Sequence, residues 1–215
     1  MIEVITAACS HDLTTVKNIV ERIGAVDSSK ETQLITLIKS ASQYIERYTG
    51  RVFAQEKVKE TLPAYGTTRI MLSRTPIVSI DSIVFNGSTI SDYVIEDASA
   101  GILYSKYGWL NTSLASNTIT GHPLPNSAEP LYEVTYTGGY ILPSMDETTR
   151  DMPYDLEEAV SNLIRDQLDR ASGNIKSVRV GDYSVTYGTP DGGSQTIVSL
   201  NSINSILDQY RRLDL

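Results

Sequence analysis

The segment Leu34-Ile35-Thr36-Leu37-Ile38-Lys39-Ser40-Ala41-Ser42-Gln43-Tyr44-Ile45-Glu46-Arg47-Tyr48-Thr49-Gly50-Arg51 changes the period of the chain. Leu34, Ile35, Leu37, Ile38, Ala41, Tyr44, Ile45 and Tyr48 form one broad apolar stripe over about five helical turns. Ser28-Ser29-Lys30-Glu31 has the form of a capping box, with a hydroxyl at the N-cap and a carboxylate three residues on. Gly50 is a natural residue to end the helix in the left-handed conformation. Upstream, Val16, Ile19, Val20 and Ile23 repeat at helical spacing, with Asp12 or Thr14 as cap and Gly24 as stop.

After Gly50 the signal becomes that of strands. Val58–Leu62, Arg69–Leu72 and Ile77–Phe85 are short and rich in β-branched residues, punctuated by Thr75-Pro76. Asn86-Gly87 marks a tight turn. Tyr93–Ile95 and Gly101–Tyr104 continue the pattern, and Leu131–Tyr136 alternates apolar with polar before Gly138-Gly139. The Ser/Thr/Asn/Pro/Gly-rich stretch 110–130 reads as a long exposed loop. Helix returns with Leu156, Ala159, Val160, Leu163, Ile164 and Leu168. Pro153 stands in its first turn, Asp155, Glu157 and Glu158 lie at the positive end of its dipole, and Arg165 and Arg170 lie toward the negative end. Ser172-Gly173-Asn174 closes it. Val178–Val180 and Tyr183–Tyr187 flank a two-residue Gly181-Asp182 turn, and Thr189–Ser194 is a loop. Leu200, Ile203, Ile206, Leu207 and Tyr210 make a last short amphipathic helix.

The expectation is an α+β fold. About four helices (an N-terminal pair, one after the β region, one C-terminal) form a bundle, with an inserted antiparallel β-domain and a β-hairpin. The helical core takes residues 1–51 and 141–215, with the hairpin near 178–187. The β-domain takes 52–140.

Composition bounds the function. The 215 residues carry 18 Lys+Arg against 26 Asp+Glu, a net charge of −8. That argues against a non-specific DNA binder, which needs basic surface to displace phosphate counterions. Lys57, Lys59 and Arg69, and separately Arg211 and Arg212, are the only basic concentrations, too sparse for a nucleic-acid footprint. One cysteine, Cys9, excludes an internal disulfide framework, and two histidines, His11 and His122, leave little for a metal centre. No apolar run approaches the ~18–20 residues that span a bilayer. The first residues lack the basic and apolar regions of a secretory signal, so the reading is a soluble protein made in a reducing cytosol. The sequons at Asn86 and Asn111 are then chance matches.

Signs of catalysis are sparse. The glycine pairs lack the spacing and lysine of a phosphate loop, and HExxH and GxSxG motifs are absent. Cys9, His11 and Asp12 adjoin in sequence, but a nucleophile and base must converge in space, and helix lead-in is the simpler reading. Asp92, Glu96 and Asp97, and likewise Asp146, Glu147 and Asp151, lack a recognised ligand spacing and read as solvated charge. The 13 tyrosines against 2 Phe and 1 Trp suit half-buried strands and interfaces.

The ordered set of segments resembles the head–tail connector (adaptor) proteins of tailed bacteriophages. The resemblance rests on the helix ending Ile45-Glu46-Arg47-Tyr48-Thr49-Gly50-Arg51 and the strand exit Val134-Thr135-Tyr136-Thr137-Gly138-Gly139-Tyr140 followed by Pro143. The helix Leu156–Arg170, the hairpin Val180–Tyr187 and the closing Leu207-Asp208-Gln209-Tyr210-Arg211-Arg212 complete it. The β region, with its 110–130 loop, is larger than in the shortest members. The resemblance implies a structural virion protein of the neck, assembled in the host cytoplasm, with no catalytic residue, cofactor, metal or membrane contact. Copies would form a homo-oligomeric ring, a dodecamer, beneath the portal protein. The ring would extend the DNA channel, let DNA pass without specific binding and receive the next neck, stopper or tail protein. It marks Tyr210, Arg211 and Arg212 as portal contacts and Gly181 and Asp182 as a tunnel or neighbour contact. Trp109 reads as core or interface. The rivals are a tail-completion or stopper protein, and a carbohydrate-binding or hydrolytic β-domain that stacks sugars on Trp109, Tyr104 and Tyr107.

Overall fold

The computed structural model describes residues 1–24, 31–110, 131–171, 177–180, 183–186 and 200–212. The expected capping residues Ser28–Lys30, the 111–130 part of the loop, Ser172-Gly173-Asn174, the Gly181-Asp182 turn and the 189–194 loop lie outside them. The fold is α+β, as expected, with four α-helices and antiparallel sheets among the described residues. The chain divides into two compact units: Met1–His11 with Val52–Asp151, and Asp12–Arg51 with Met152–Leu215.

In the first unit a five-stranded antiparallel sheet has the order β1-β2-β8-β4-β5. Its strands are β1 (Ile2–Thr6), β2 (Glu56–Leu62), β4 (Ile77–Phe85), β5 (Ser88–Thr89) and β8 (Tyr132–Gly138). The strands β3 (Arg69–Met71), β7 (Ile102–Tyr104) and β6 (Val94–Asp97) make a second sheet in that order. Asn86 and Gly87 both have positive φ and close the β4–β5 hairpin, with Val84 opposite Thr89, so the dipeptide works as its type I′ signal requires. β8 lies at the centre, and its alternation is literal: Tyr132, Val134 and Tyr136 are buried, and the residues between them are half-buried. Val58, Ile83, Leu103 and Trp109 pack with them in one core cluster. The glycines that end β8 have a steric cause. A Cβ on Gly138 would run into the carbonyl of Arg74, and one on Gly139 (φ 108°) into that of Ala54.

β1 is an element the sequence reading did not place. Residues 1–11 were grouped with the helices, yet Ile2–Thr6 pairs antiparallel with β2, Val4 opposite Val58. The Met1 ammonium donates to the Thr61 carbonyl at 2.7 Å. Five exposed residues give no burial period to read. Residues 141–151, also assigned to the helices, belong to the β unit, where Asp151 accepts the Ile141 N–H at 2.6 Å.

β2 buries two carboxylates on its core face. Glu60 accepts from the Ser73 N–H at 2.9 Å, from the Ser73 hydroxyl and from the Tyr136 hydroxyl at 2.7 Å, and the Tyr136 oxygen accepts the Arg74 N–H at 2.9 Å. Glu56 lies within 3.3 Å of His11 Nε2 and 3.4 Å of Arg74 Nε. On the other face Lys57 pairs with Asp81 and Lys59 with Glu133, so this basic pair is spent across strands.

The second unit packs α1 (Val16–Ile23), α2 (Glu31–Thr49), α3 (Tyr154–Ala171) and α4 (Leu200–Leu207), followed by a 3₁₀ turn at Asp208–Tyr210. Strands β9 (Ser177–Val180) and β10 (Tyr183–Thr186) pair antiparallel with Val180 opposite Tyr183, as the expected hairpin requires. Gly24 and Gly50 end α1 and α2 with positive φ. Thr15, not Asp12 or Thr14, caps α1, its hydroxyl accepting from the Asn18 N–H at 3.2 Å. Thr14 turns inward, and its hydroxyl donates to Glu157 at 2.8 Å. The Asn18 amide (2.8 Å) and the Arg22 guanidinium (3.4 Å) donate to the same carboxylate, which is 1% exposed. The buried stripe of α2 is narrower than the sequence suggested: Leu34, Ile38, Ala41, Ser42, Ile45 and Thr49 are covered, whereas Ile35 and Tyr44 are 40% and 37% exposed.

Glu157→Ala would leave two buried donors, Thr14 and Asn18, and the partly exposed Arg22 facing an empty site. It is expected to lower stability by roughly 2–4 kcal/mol, read as an earlier urea midpoint with an unchanged slope. Tyr136 keeps its proton well above the ordinary tyrosine range, first because the ring is buried and then because the Glu60 charge adjoins it. The folded chain therefore holds that proton more tightly than the unfolded chain. Its contribution is complete below about pH 10 and is lost as pH rises above that. Tyr136→Phe is expected to cost roughly 1–2 kcal/mol at neutral pH and to flatten the alkaline fall in stability, measured by denaturation from pH 7 to 11.

Candidate functional site

The residues singled out in the sequence come to rest in three different settings. Trp109 is core: it is 2% exposed, and its ring meets Tyr132 edge-on at 5.3 Å between centroids. Tyr132 in turn stacks on Phe85 at 4.4 Å and accepts the Leu110 N–H at 2.8 Å. Burial takes away the open ring face that sugar stacking needs. Gly181 and Asp182 lie outside the described residues. Tyr210, Arg211 and Arg212 belong to the closing turn of the helical unit, which fixes them in place.

That turn is tied down by contacts between residues far apart in sequence. The Tyr210 hydroxyl lies 2.8 Å from both carboxylate oxygens of Asp155, at the start of α3. The Tyr48 hydroxyl, on the last turn of α2, donates to Asp208 at 2.8 Å. The Arg212 N–H donates to the Thr49 carbonyl at 2.8 Å, and the Arg51 guanidinium approaches the Tyr210 carbonyl at 3.4 Å. The carboxylate of Asp208 holds the Tyr48 phenol above its usual range, through the hydrogen bond first, while the positive charge of Arg211 opposes it. Tyr210 is thus occupied inside its own chain, and the side chains of Arg211 and Arg212 lie at the exposed surface beside it. Tyr44 stacks along Tyr48 at 6.1 Å between centroids. The result is a basic and aromatic surface assembled from the end of α2 and the closing turn. Sequence reasoning found its C-terminal half and missed Arg51, Tyr48 and Tyr44, because nothing local says that residue 49 meets residue 212.

Of the acidic groups considered for chemistry, Glu96, Asp97, Asp146 and Asp151 are engaged structurally. Arg69 makes a two-pronged pair with Glu96, with Nη2 2.6 Å from Oε1, and holds that carboxyl below its usual range. Asp97 accepts from the Ser99 hydroxyl at 2.6 Å and from the Ser99 and Ala100 N–H groups, and Asp146 accepts from Thr148 and Thr149. Those bonds lower both pKa values. Cys9 is exposed, and His11 faces Glu56. Among the described residues no group of three or more His, Cys, Asp or Glu is placed to hold a metal ion, and no helix is long and apolar enough to cross a membrane.

The chain belongs to the head completion protein family, whose model matches residues 12–213. It is therefore a structural protein of the head–tail neck, which bears out the resemblance carried by the ordered motifs. Its fold is shared with chains of gene transfer agent (GTA) particles, in each case over 100% of this chain and 97% of the other. They come from the neck of an empty particle computed with C6 symmetry (13% identity, TM-score 0.55), the virion of a native particle (13%, 0.56) and the neck of a native particle computed with C12 symmetry (14%, 0.54). No curated protein matches the chain.

Tyr210→Phe removes the phenol–carboxylate bond while keeping the ring. It is expected to weaken the closing turn by about 1 kcal/mol. The readout is faster amide hydrogen exchange at residues 208–212, with α2 and the β unit unchanged.

Proposed function

We propose that the protein is a head–tail adaptor. Twelve copies form a ring beneath the portal, extend the DNA channel and receive the next neck or tail protein, within the neck of a virion assembled in the host cytoplasm. The observation that carries this reading is a fold shared along the entire chain with a neck chain of a particle whose neck was computed with C12 symmetry. In this reading the helical unit is the adaptor core and the β unit its insertion. Arg211 and Arg212 contact the portal, with Tyr210 setting their position. The hairpin tip at Gly181 and Asp182 reaches the tunnel or a neighbour. A subunit of net charge −8 repeated around a channel repels phosphates, so DNA slides through without being held.

The test is the mass of the protein by light scattering, alone and then with its cognate portal complex. The adaptor reading expects a ring, or a monomer that joins the portal in multiple copies. A chain that stays monomeric and leaves the portal's mass unchanged refutes it.

A further inference from the structure

Resting on the adaptor reading, we infer that in the ring each copy lends strand β1 to the next. Residues 1–6 pair with β2 of a neighbouring copy, in the register that the single chain shows within itself. The receiving site is one strand. β1 lies antiparallel on β2 from Ile2 opposite Glu60 to Thr6 opposite Lys57, and the Thr61 N–H donates to the Met1 carbonyl at 2.7 Å. Every copy displays the same β2, so the β1 of another copy finds there the bonds it makes at home.

Burial singles out β1 as the element to lend. None of residues 1–11 is buried, and the core cluster of the β unit takes no member from them. Lifting the strand away uncovers an edge without opening the core. The other candidates are held. The closing turn follows α4, which buries Ile203 and Leu207 completely. β6 is also an edge strand with exposed apolar residues, but Arg69 clamps Glu96, and Asp97 is bonded to Ser99 and Ala100. At the same time β1 is poorly covered for a strand of its composition. Ile2, Val4 and Ile5 are 36%, 43% and 51% exposed. Among the described residues β1 pairs only with β2, and no Lys or Pro within it guards the open edge. A neighbour packed against this edge gives those side chains the cover that the single chain lacks.

The path of the chain supplies the reach. After β1 it crosses to the helical unit at Asp12, where Leu13 is wholly buried and its N–H donates to the Ser42 hydroxyl at 3.0 Å. Residues 7–12 between them form no helix or strand. They meet Glu56 on β2 through long contacts, 3.5 Å from the Ala8 nitrogen and 3.3 Å from His11 Nε2. Extended, six residues reach about 20 Å. Exchange preserves the ladder and costs chiefly the straightening of this link, while a ring holds the neighbour's β2 at high effective concentration. The strand given and the edge received are different surfaces, so the contact is heterologous and closes copies into a ring.

The experiment is a disulfide trap in the full chain, with Cys9→Ser to remove the native thiol and circular dichroism to confirm folding. Glu3 and Lys59 face each other across the ladder, within the reach of a disulfide. The chain carrying Glu3→Cys and Lys59→Cys is oxidised free and after assembly on its cognate portal, then denatured and run without reductant. The free chain is expected to close an internal bond and migrate as one compact band. The assembled chain is expected to shift into a ladder of covalently linked copies. Where the free chain does not close its bond, Val4→Cys with Val58→Cys, also opposite each other, takes the place of the first pair. Chains carrying only Glu3→Cys, mixed before assembly with chains carrying only Lys59→Cys, should give dimers linked between the two kinds. Assembled chains whose bonds all remain internal, or a mixture without such dimers, overturn the inference. Light scattering on the same samples separates the two readings. Chains that join the portal in multiple copies with internal bonds alone remove the exchange and leave the adaptor reading standing. Chains that form the ladder by themselves but leave the portal's mass unchanged do the reverse.

Discussion

The Glu157 carboxylate lies almost wholly out of water, and the helical unit is arranged around the need to satisfy it. Removing a carboxylate from water costs several kcal/mol unless donors replace the lost hydration. Three donors on and just before α1 do so, which fixes both the rotation of that helix and its distance from α3. The β unit meets the same requirement through Glu60, whose partners come from the loop after β3 and from the central strand β8. Apolar burial holds each unit together. The buried carboxylates specify which of many apolar packings is adopted, because a slip by one residue would strand a charge.

These carboxylates also mark where the sequence stops being informative. Period and punctuation read well: α2 with Gly50, α3 with its acidic first turn, the Asn86-Gly87 hairpin and the alternation of Tyr132–Tyr136 all depend on neighbours within a few residues. In the sequence Glu157 is one of three acids at the positive end of the helix dipole, and nothing local marks it as the buried one. Its burial depends on Thr14 and Asn18, about 140 residues away. β1 was missed because all its residues are exposed, so pairing with β2, not amphipathicity, makes it a strand. The first unit boundary followed from that error. The narrower stripe of α2 has a similar cause: Ile35 and Tyr44 fit a helical apolar face in sequence, but among the described residues no element of the unit covers them.

The candidate interaction surface was half legible. Arg211 and Arg212 stand out by composition, whereas the tyrosines and Arg51 that join them belong to a different helix. Trp109, conspicuous as the one tryptophan, does its work against Tyr132 in the core.

The path of the chain through its two units has a consequence for synthesis. Residues 1–11 enter the β unit, 12–51 leave it, 52–151 return and 152–215 leave again. Neither unit is complete when the other begins, so a nascent chain cannot fold vectorially, one body at a time. β1 waits for β2, which waits for β8, and α2 waits for a turn 160 residues downstream. Chains terminated before residue 208 therefore lack the partner of Tyr48 and the finished face of α2.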